Sequence, residues 1–204
     1  MNLVFATNNK HKIEEVQQLL QTKIHLLSLG DIHCNEELPE TGNTLEENAS
    51  QKTNYVHKKF GTDCFADDTG LEIEALNGKP GVLSARYAGE KKDSDKNIQK
   101  VLQEMKNIKN RKARFRTIIS LIIGHKEYLF EGIVDGIIAE DKHGEKGFGY
   151  DPIFIPQPLP PSPAGEGLGV RWMRSFAEMS LEEKNTISHR AIAVRKLADF
   201  LNRV

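Results

Sequence analysis

Residues 64–76, CFADDTGLEIEAL, place the tightest limit on how this chain can fold. Apolar Cys64, Phe65 and Ala66 lead straight into two adjacent carboxylates, Asp67 and Asp68, followed by Thr69 and Gly70. Apolar residues then resume in alternation at Leu71, Ile73 and Ala75, which predicts strands with one buried face on either side of Asp67–Gly70. Like charges side by side at the mouth of a buried element repel each other and cost desolvation energy. They must either point into water or be compensated by something of opposite charge.

The rest of the chain supplies helices to cover such a sheet. Residues 3–6 read as a short apolar strand, followed by the polar turn TNNKHK (7–12), after which Ile13, Val16, Leu19 and Leu20 mark one face of a helix. A second helix opens at Thr44 with a capping box, Glu47 reaching back, and buries Leu45, Ala49, the stem of Lys52, Val56 and Phe60. After the turn NGKPG (77–81), a third helix near 94–107 buries Ile98, Val101, Leu102 and Met105. Long strands near 113–123 and 127–139 flank GHKE, and a last helix carries Ile187, Ala191, Val194, Ala198 and Leu201. Strands and helices interleave, so the fold class is α/β with a mixed sheet. At 204 residues the chain is a single domain of ordinary size, with room for two lobes. Residues 157–175, QPLPPSPAGEGLGVRWMRS, hold four of the eight prolines and the only tryptophan, and read as a solvent-facing loop insertion with Trp172 as its anchor.

Several function classes drop out on composition. A net charge of -1 gives no bulk attraction to nucleic acid or to anionic membranes. The longest apolar stretch, Ile118 to Ile123, is too short to span a bilayer, and Leu3 to Ala6 makes neither a signal peptide nor an anchor. Cys34 and Cys64 have no metal-type or redox-type spacing, which suits a cytoplasmic protein with Cys64 as a small buried hydrophobe.

Four stretches carry possible chemistry. In TNNKHK a strand, a turn and a helix start expose backbone N–H groups, yet Lys10, His11 and Lys12 sit at the positive end of the helix dipole, where a phosphate would supply the missing charge. Glu40, just before a helix start, and Asp67 and Asp68 offer hard oxygen donors suited to Mg²⁺, and one carboxylate can also act as a general base. In GFGYDP (147–152) the glycines let the backbone approach a flat ligand, on which Phe148 or Tyr150 can stack. In SHR (188–190), Ser188 can cap the final helix, leaving His189 and Arg190 as cations in its first turn. Each stretch also has a plain structural alternative: a common strand-turn-helix, a turn with Asp at a strand end, an ordinary Gly-Pro loop, a solvated helix face. Together they describe a site for a nucleoside triphosphate with a metal, and no P-loop motif is present.

In order along nearly the whole chain, FATNNKHKIEE, ETGNTLEENA, ADDTGLEIEALNGKPGVLSARYAG, GFGYDPIF and FAEMSLEEKNTISHR resemble the inosine triphosphate pyrophosphatase family. The resemblance implies a long central mixed β-sheet flanked by helices, two lobes with the active cleft between them, and a cytosolic homodimer. It implies Mg²⁺-dependent cleavage of inosine, deoxyinosine and xanthosine triphosphates to the monophosphate and pyrophosphate, clearing them from the nucleotide pool. Carried over by position, Thr7, Asn8, Asn9, Lys10, His11 and Lys12 would cradle the triphosphate. Glu40 and Asp68 would bind Mg²⁺, with Asp68 also the proton acceptor. Thr69 would touch substrate through its hydroxyl, Phe148, Gly149, Tyr150 and Asp151 would hold the base, and Lys184, His189 and Arg190 would complete the site. The long segment at 157–175 departs from the family pattern. Two rival readings are a septum-formation-type nucleotide pyrophosphatase, against which GFGYDP and SHR argue, and a nucleotide-binding regulator without turnover, against which Glu40 and Asp68 argue.

Overall fold

The computed structural model describes residues 2–20, 24–157 and 174–203. Its chain divides into two compact units, one comprising Met1–Thr69, Thr117–Gly132 and His189–Val204, the other Gly70–Arg116 and Ile133–Ser188.

In the first unit, β1 (Asn2–Phe5) pairs in parallel with β2 (His25–Leu27) and with the start of β3 (Cys64–Ile73), Val4 opposite Cys64 and Phe5 opposite Phe65. Leu3, Val4 and Phe5 are all fully buried, as expected of a parallel strand covered on both faces. Side chains alternate across a strand, and the core divides accordingly. Leu3, Phe5 and Phe65 cluster with Val16 of α1 (Lys10–Leu19) and with Val194, Leu197 and Leu201 of α5 (His189–Leu201). Val4, Ala6, Cys64 and Ala66 cluster instead with Val56 of α2 (Leu45–Phe60). Phe5 and Phe65 stack at 4.4 Å, which pins the β1–β3 register. Burial pushes the Cys64 thiol up to about 12, as befits a cysteine serving as a small apolar residue.

The second unit contains the remainder of β3, which pairs antiparallel with β4 (Pro80–Gly81). A Cβ on Gly70 would lie 2.7 Å from the Gly81 carbonyl oxygen, so this close approach excludes any side chain at 70. The unit also holds α3 (Ser94–Glu104), the early part of β5 (Lys112–Ile123), and the late part of β6 (Lys126–Ile138) with β7 (Phe154–Pro156) antiparallel to it. Phe115, Phe154 and Phe176 form its aromatic centre, with Phe115 and Phe154 4.6 Å apart, and α4 (Leu181–Ile187) follows. With parallel and antiparallel pairs in one sheet and helices covering it, the fold is α/β with a mixed sheet. No helix among the described residues is long and apolar enough to cross a membrane.

Four expectations change. Asp67–Gly70 is no break between strands: β3 runs unbroken from Cys64 to Ile73, because successive side chains leave on opposite faces and each acid finds its own partners. The capping box of α2 forms by half. Thr44 accepts from Glu47 N–H at 3.1 Å, but Glu47 Oε2 accepts from Asn43 N–H at 2.6 Å, one residue before the expected donor. The final helix begins at His189, and Ile187 ends the separate α4, with Ser188 in extended backbone between them. Lys52 buries its ammonium group as well as its stem. The loop reading of 157–175, Trp172 included, falls almost entirely on 158–173, outside the described residues. At its flanks, Gln157 N–H donates to Asp135 O (2.8 Å) and Ser175 Oγ to His143 O (2.7 Å).

Candidate active site

The alternation along β3 decides which helices meet which acid. Asp67 shares the face of Phe65 and therefore looks toward α1 and α5; Asp68 shares the face of Ala66 and looks toward α2. On the first face, Lys12 Nζ donates to Asp67 Oδ1 at 2.9 Å, while Arg190 donates to Asp67 Oδ2 from Nε (3.1 Å) and Nη2 (3.0 Å). Arg190 also pairs with Glu15 of α1 and donates to the Thr69 hydroxyl at 3.1 Å, and that hydroxyl meets Thr117 Oγ1 at 2.7 Å. Burial by itself would raise the Asp67 carboxyl, but Lys12, Arg190 and Lys52 outweigh it and hold it well below the usual carboxylate range. Arg190 is likewise driven further toward its charged form, because Asp67 and Glu15 outweigh its burial. Lys12 ends below the usual lysine value: burial dominates, Asp67 is shared with Arg190, and Lys52 and Arg190 repel it.

On the second face, Lys52 Nζ donates to Glu40 Oε1 at 2.6 Å and to the Asp67 carbonyl oxygen at 2.8 Å, and lies 3.6 Å from Asp68 Oδ1. Asn48 Nδ2 donates to Asp68 Oδ2 at 3.1 Å. Burial raises the Asp68 carboxyl above its ordinary value, Glu40 adds to this, and Lys52, Lys12 and the Asn48 hydrogen bond do not reverse it. Lys52 is raised, since Asp68, Glu40 and Asp67 together overcome its burial. One ammonium thus faces two carboxylates, and the more buried of them, Asp68, is raised chiefly by its burial.

That donor set bears on the expected metal. Among the described residues, no three His, Cys, Asp or Glu side chains converge on a point. Mg²⁺ is characteristically held by one or two carboxylates, keeping waters and taking substrate phosphates as the remaining ligands, so Glu40 and Asp68 suit it without a third protein ligand. Asp67, with Lys12 and Arg190 already on its oxygens, does not serve that purpose.

Within the second unit, Asp151 Oδ2 accepts from the Phe148 N–H at 2.9 Å and from Lys184 Nζ at 2.7 Å. Lys184 Nζ stands 5.0 Å from the centre of the Phe148 ring, within cation–π range. Gly149 has φ 60° and lets the loop turn between Phe148 and Tyr150. Tyr150 is buried and donates its hydroxyl to Ser84 O at 2.9 Å, whereas Phe148 is half-buried.

Of the TNNKHK residues, Thr7 Oγ1 accepts from Asn9 N–H (3.2 Å) and the Asn9 side chain caps α1 by accepting from Lys12 N–H (3.3 Å). Asn8, Lys10 and His11 are exposed, His11 lying 3.8 Å from Glu14. Lys12 alone of its cations turns inward. His189 is buried at the start of α5. The first unit therefore brings together Lys12, Glu40, Asp68, Thr69 and Arg190, and the second Phe148, Gly149, Asp151 and Lys184. Sequence reasoning missed Glu15, Asn48 and Thr117 and took Lys52 as stem only. The signal for Lys52 was present: a lysine in the middle of a buried stripe must snorkel out or find an anion.

A sequence model of the Ham1 family matches residues 3–200. The dITP/XTP pyrophosphatases of Flavobacterium psychrophilum and Flavobacterium johnsoniae are 54% and 52% identical to this chain, over 98% of each chain compared. The chain belongs to the Ham1 family. This Ham1-family protein also superposes on the solved Staphylococcus aureus Ham1 protein, with a TM-score of 0.84 and 37% identity over 100% of this chain and 99% of that one. For the Coxiella burnetii HAM1 protein the TM-score is 0.85 and the identity 34%, over 100% of both chains. The family resemblance drawn from the sequence motifs stands.

Proposed function

We propose that this protein hydrolyses non-canonical purine nucleoside triphosphates, those of inosine, deoxyinosine and xanthosine, to the monophosphate and pyrophosphate with Mg²⁺, acting as a cytoplasmic homodimer that clears them from the nucleotide pool. The dITP/XTP pyrophosphatase relatives support the reaction. The observation that carries the site assignment is the contrast between neighbours in β3: Asp67 shut from solvent with Lys12 and Arg190 on its oxygens, Asp68 partly exposed beside Glu40 and Lys52.

Glu40 and Asp68 would hold the metal, which when bound supplies positive charge to the phosphates. Asp68, whose charged form is disfavoured by burial, is suited to take the proton of a water attacking the α-phosphorus in line. Lys12 is held only in part by Asp67 and is the inward cation best placed to accept a phosphate oxygen as a further partner. Lys52 keeps Glu40 and Asp68 from repelling each other before the metal arrives. Phe148, Gly149, Tyr150 and Asp151 would hold the base. Donors facing O6 would then favour a 6-oxo purine, since an adenine amino group cannot accept them.

The test is pyrophosphate release from a panel of inosine, deoxyinosine, xanthosine, adenosine and modified pyrimidine triphosphates, with Mg²⁺ and with excess chelator. Turnover confined to the first three and abolished by chelator is expected. Preference for modified pyrimidines, or full activity in chelator, contradicts the proposal.

A further inference from the structure

We propose that Asn48 is a positioning residue that sets the spacing of Glu40 and Asp68 for the divalent cation, an inference that rests on the reading of those two carboxylates given above. Asn48 stands in the first turn of α2 and is 1% exposed. Its two polar atoms serve different partners. Oδ1 accepts from the Gly42 N–H at 2.8 Å, on the loop that carries Glu40, and Nδ2 donates to Asp68 Oδ2 at 3.1 Å. A primary amide has one acceptor end and one donor end, so this pair of contacts fixes which way it points; flipping it would set donor against donor and acceptor against acceptor. One rigid side chain therefore spans from the backbone beside one carboxylate to the other carboxylate itself.

The loop is pressed onto α2 along its length. Three successive backbone N–H groups after Glu40 are each taken by a side chain of that helix: Thr41 by Gln51 (2.9 Å), Gly42 by Asn48 (2.8 Å) and Asn43 by Glu47 (2.6 Å). The fit leaves no space for a side chain at 42, where a Cβ would come within 2.5 Å of Glu47 Cβ and 3.0 Å of Asn48 Oδ1. With Asp68 Oδ2 held by Asn48, Oδ1 is left facing Lys52 at 3.6 Å, and Glu40 Oε1 meets the same ammonium at 2.6 Å. Lysine cannot set this geometry, because its ammonium rotates freely on a flexible stem and accepts any acid within reach. The short planar amide can.

The experiment uses the full chain and its Asn48→Ala and Gln51→Ala variants. Mn²⁺ binding is read by electron paramagnetic resonance without nucleotide, and the Mg²⁺ concentration for half-maximal pyrophosphate release is measured separately. Loss of a group that orients a metal ligand typically weakens metal affinity by roughly 10–100-fold. Asn48→Ala is expected to weaken Mn²⁺ binding and raise the Mg²⁺ requirement by that factor, with turnover recovering toward wild type as Mg²⁺ is raised. Gln51→Ala, which loosens the same loop from outside, should shift both readouts the same way by less. A merely structural Asn48 would lower the melting temperature without moving the Mg²⁺ requirement. Unchanged Mn²⁺ affinity in Asn48→Ala, or a loss of turnover that no Mg²⁺ concentration restores, overturns the proposal. Should Asn48→Ala fail to fold, unchanged Mn²⁺ affinity in Gln51→Ala overturns it. A wild-type protein that binds no Mn²⁺ overturns the carboxylate reading and this proposal with it.

Discussion

On the face of β3 that carries Asp67, two cations, Lys12 and Arg190, meet two carboxylates, Asp67 and Glu15, and Asp67, Glu15 and Arg190 are almost wholly shut from solvent. On the face that carries Asp68, Lys52 meets two carboxylates, Glu40 and Asp68, which remain 29% and 13% exposed. The first set pairs its charges in an interior closed to solvent. The second keeps both of its carboxylates partly open to solvent. Two identical side chains, adjacent in sequence, thus meet different partners because a strand sends them to different helices.

Exchanging each acid for its amide is the strongest way to break this contrast. Asp68→Asn should cut turnover by roughly 10²–10⁴, the usual contribution of a general base, while circular dichroism shows the fold retained. Without Mg²⁺ its melting temperature should not fall, since burial and Glu40 already disfavour the charge it removes. Asp67→Asn should do the reverse, acting first on stability. It leaves buried Arg190 and Lys12 short of an anion, and breaking a buried pair in this way costs roughly 3–5 kcal/mol. For a chain of this size the melting temperature should drop by roughly 6–20 °C. A thermally silent Asp67→Asn variant, or a fully active Asp68→Asn variant, would erase the distinction.

Acid titration sharpens the same comparison with smaller effects. Asp67 is depressed in the folded protein, so its stabilisation is fully present above the unfolded value near pH 3.9 and is lost as pH falls toward the folded value. Urea unfolding below about pH 4 should therefore weaken the wild type more steeply than Asp67→Asn. Asp68 shifts the other way. Its raised folded value means that its contribution to stability is present below the unfolded value and is lost as pH rises through the folded one. The acid limb of kcat/KM should accordingly move down as Mg²⁺ is raised, since a nearby cation favours the charged carboxylate. An acid limb indifferent to Mg²⁺ would remove Asp68 from the base role.

Much of this arrangement was legible in the residues, and the parts that were not share a cause. The apolar alternation through 64–73, the stripe of α2 and the class of the fold follow from local periodicity, which one strand or one helix carries by itself. The unbroken course of β3 through its two acids was hidden, because adjacent carboxylates look like a turn until their partners are known. Those partners, Lys12, Lys52 and Arg190, are brought in from distant parts of the chain. The cations at the starts of α1 and α5 pointed to a missing anion, and for Lys12 and Arg190 the protein provides one in Asp67. Asn48 was unreadable for the same reason: a buried amide signals its partners only once the Glu40 loop lies against α2.

The central claim is that the open face of β3, through Asp68, delivers a water to the α-phosphorus. Turnover of deoxyinosine triphosphate in ¹⁸O-labelled water, with mass analysis of both products, tests this most directly. The account predicts one labelled oxygen in the nucleoside monophosphate and none in pyrophosphate. Label in the pyrophosphate, or orthophosphate as the direct product, would contradict it.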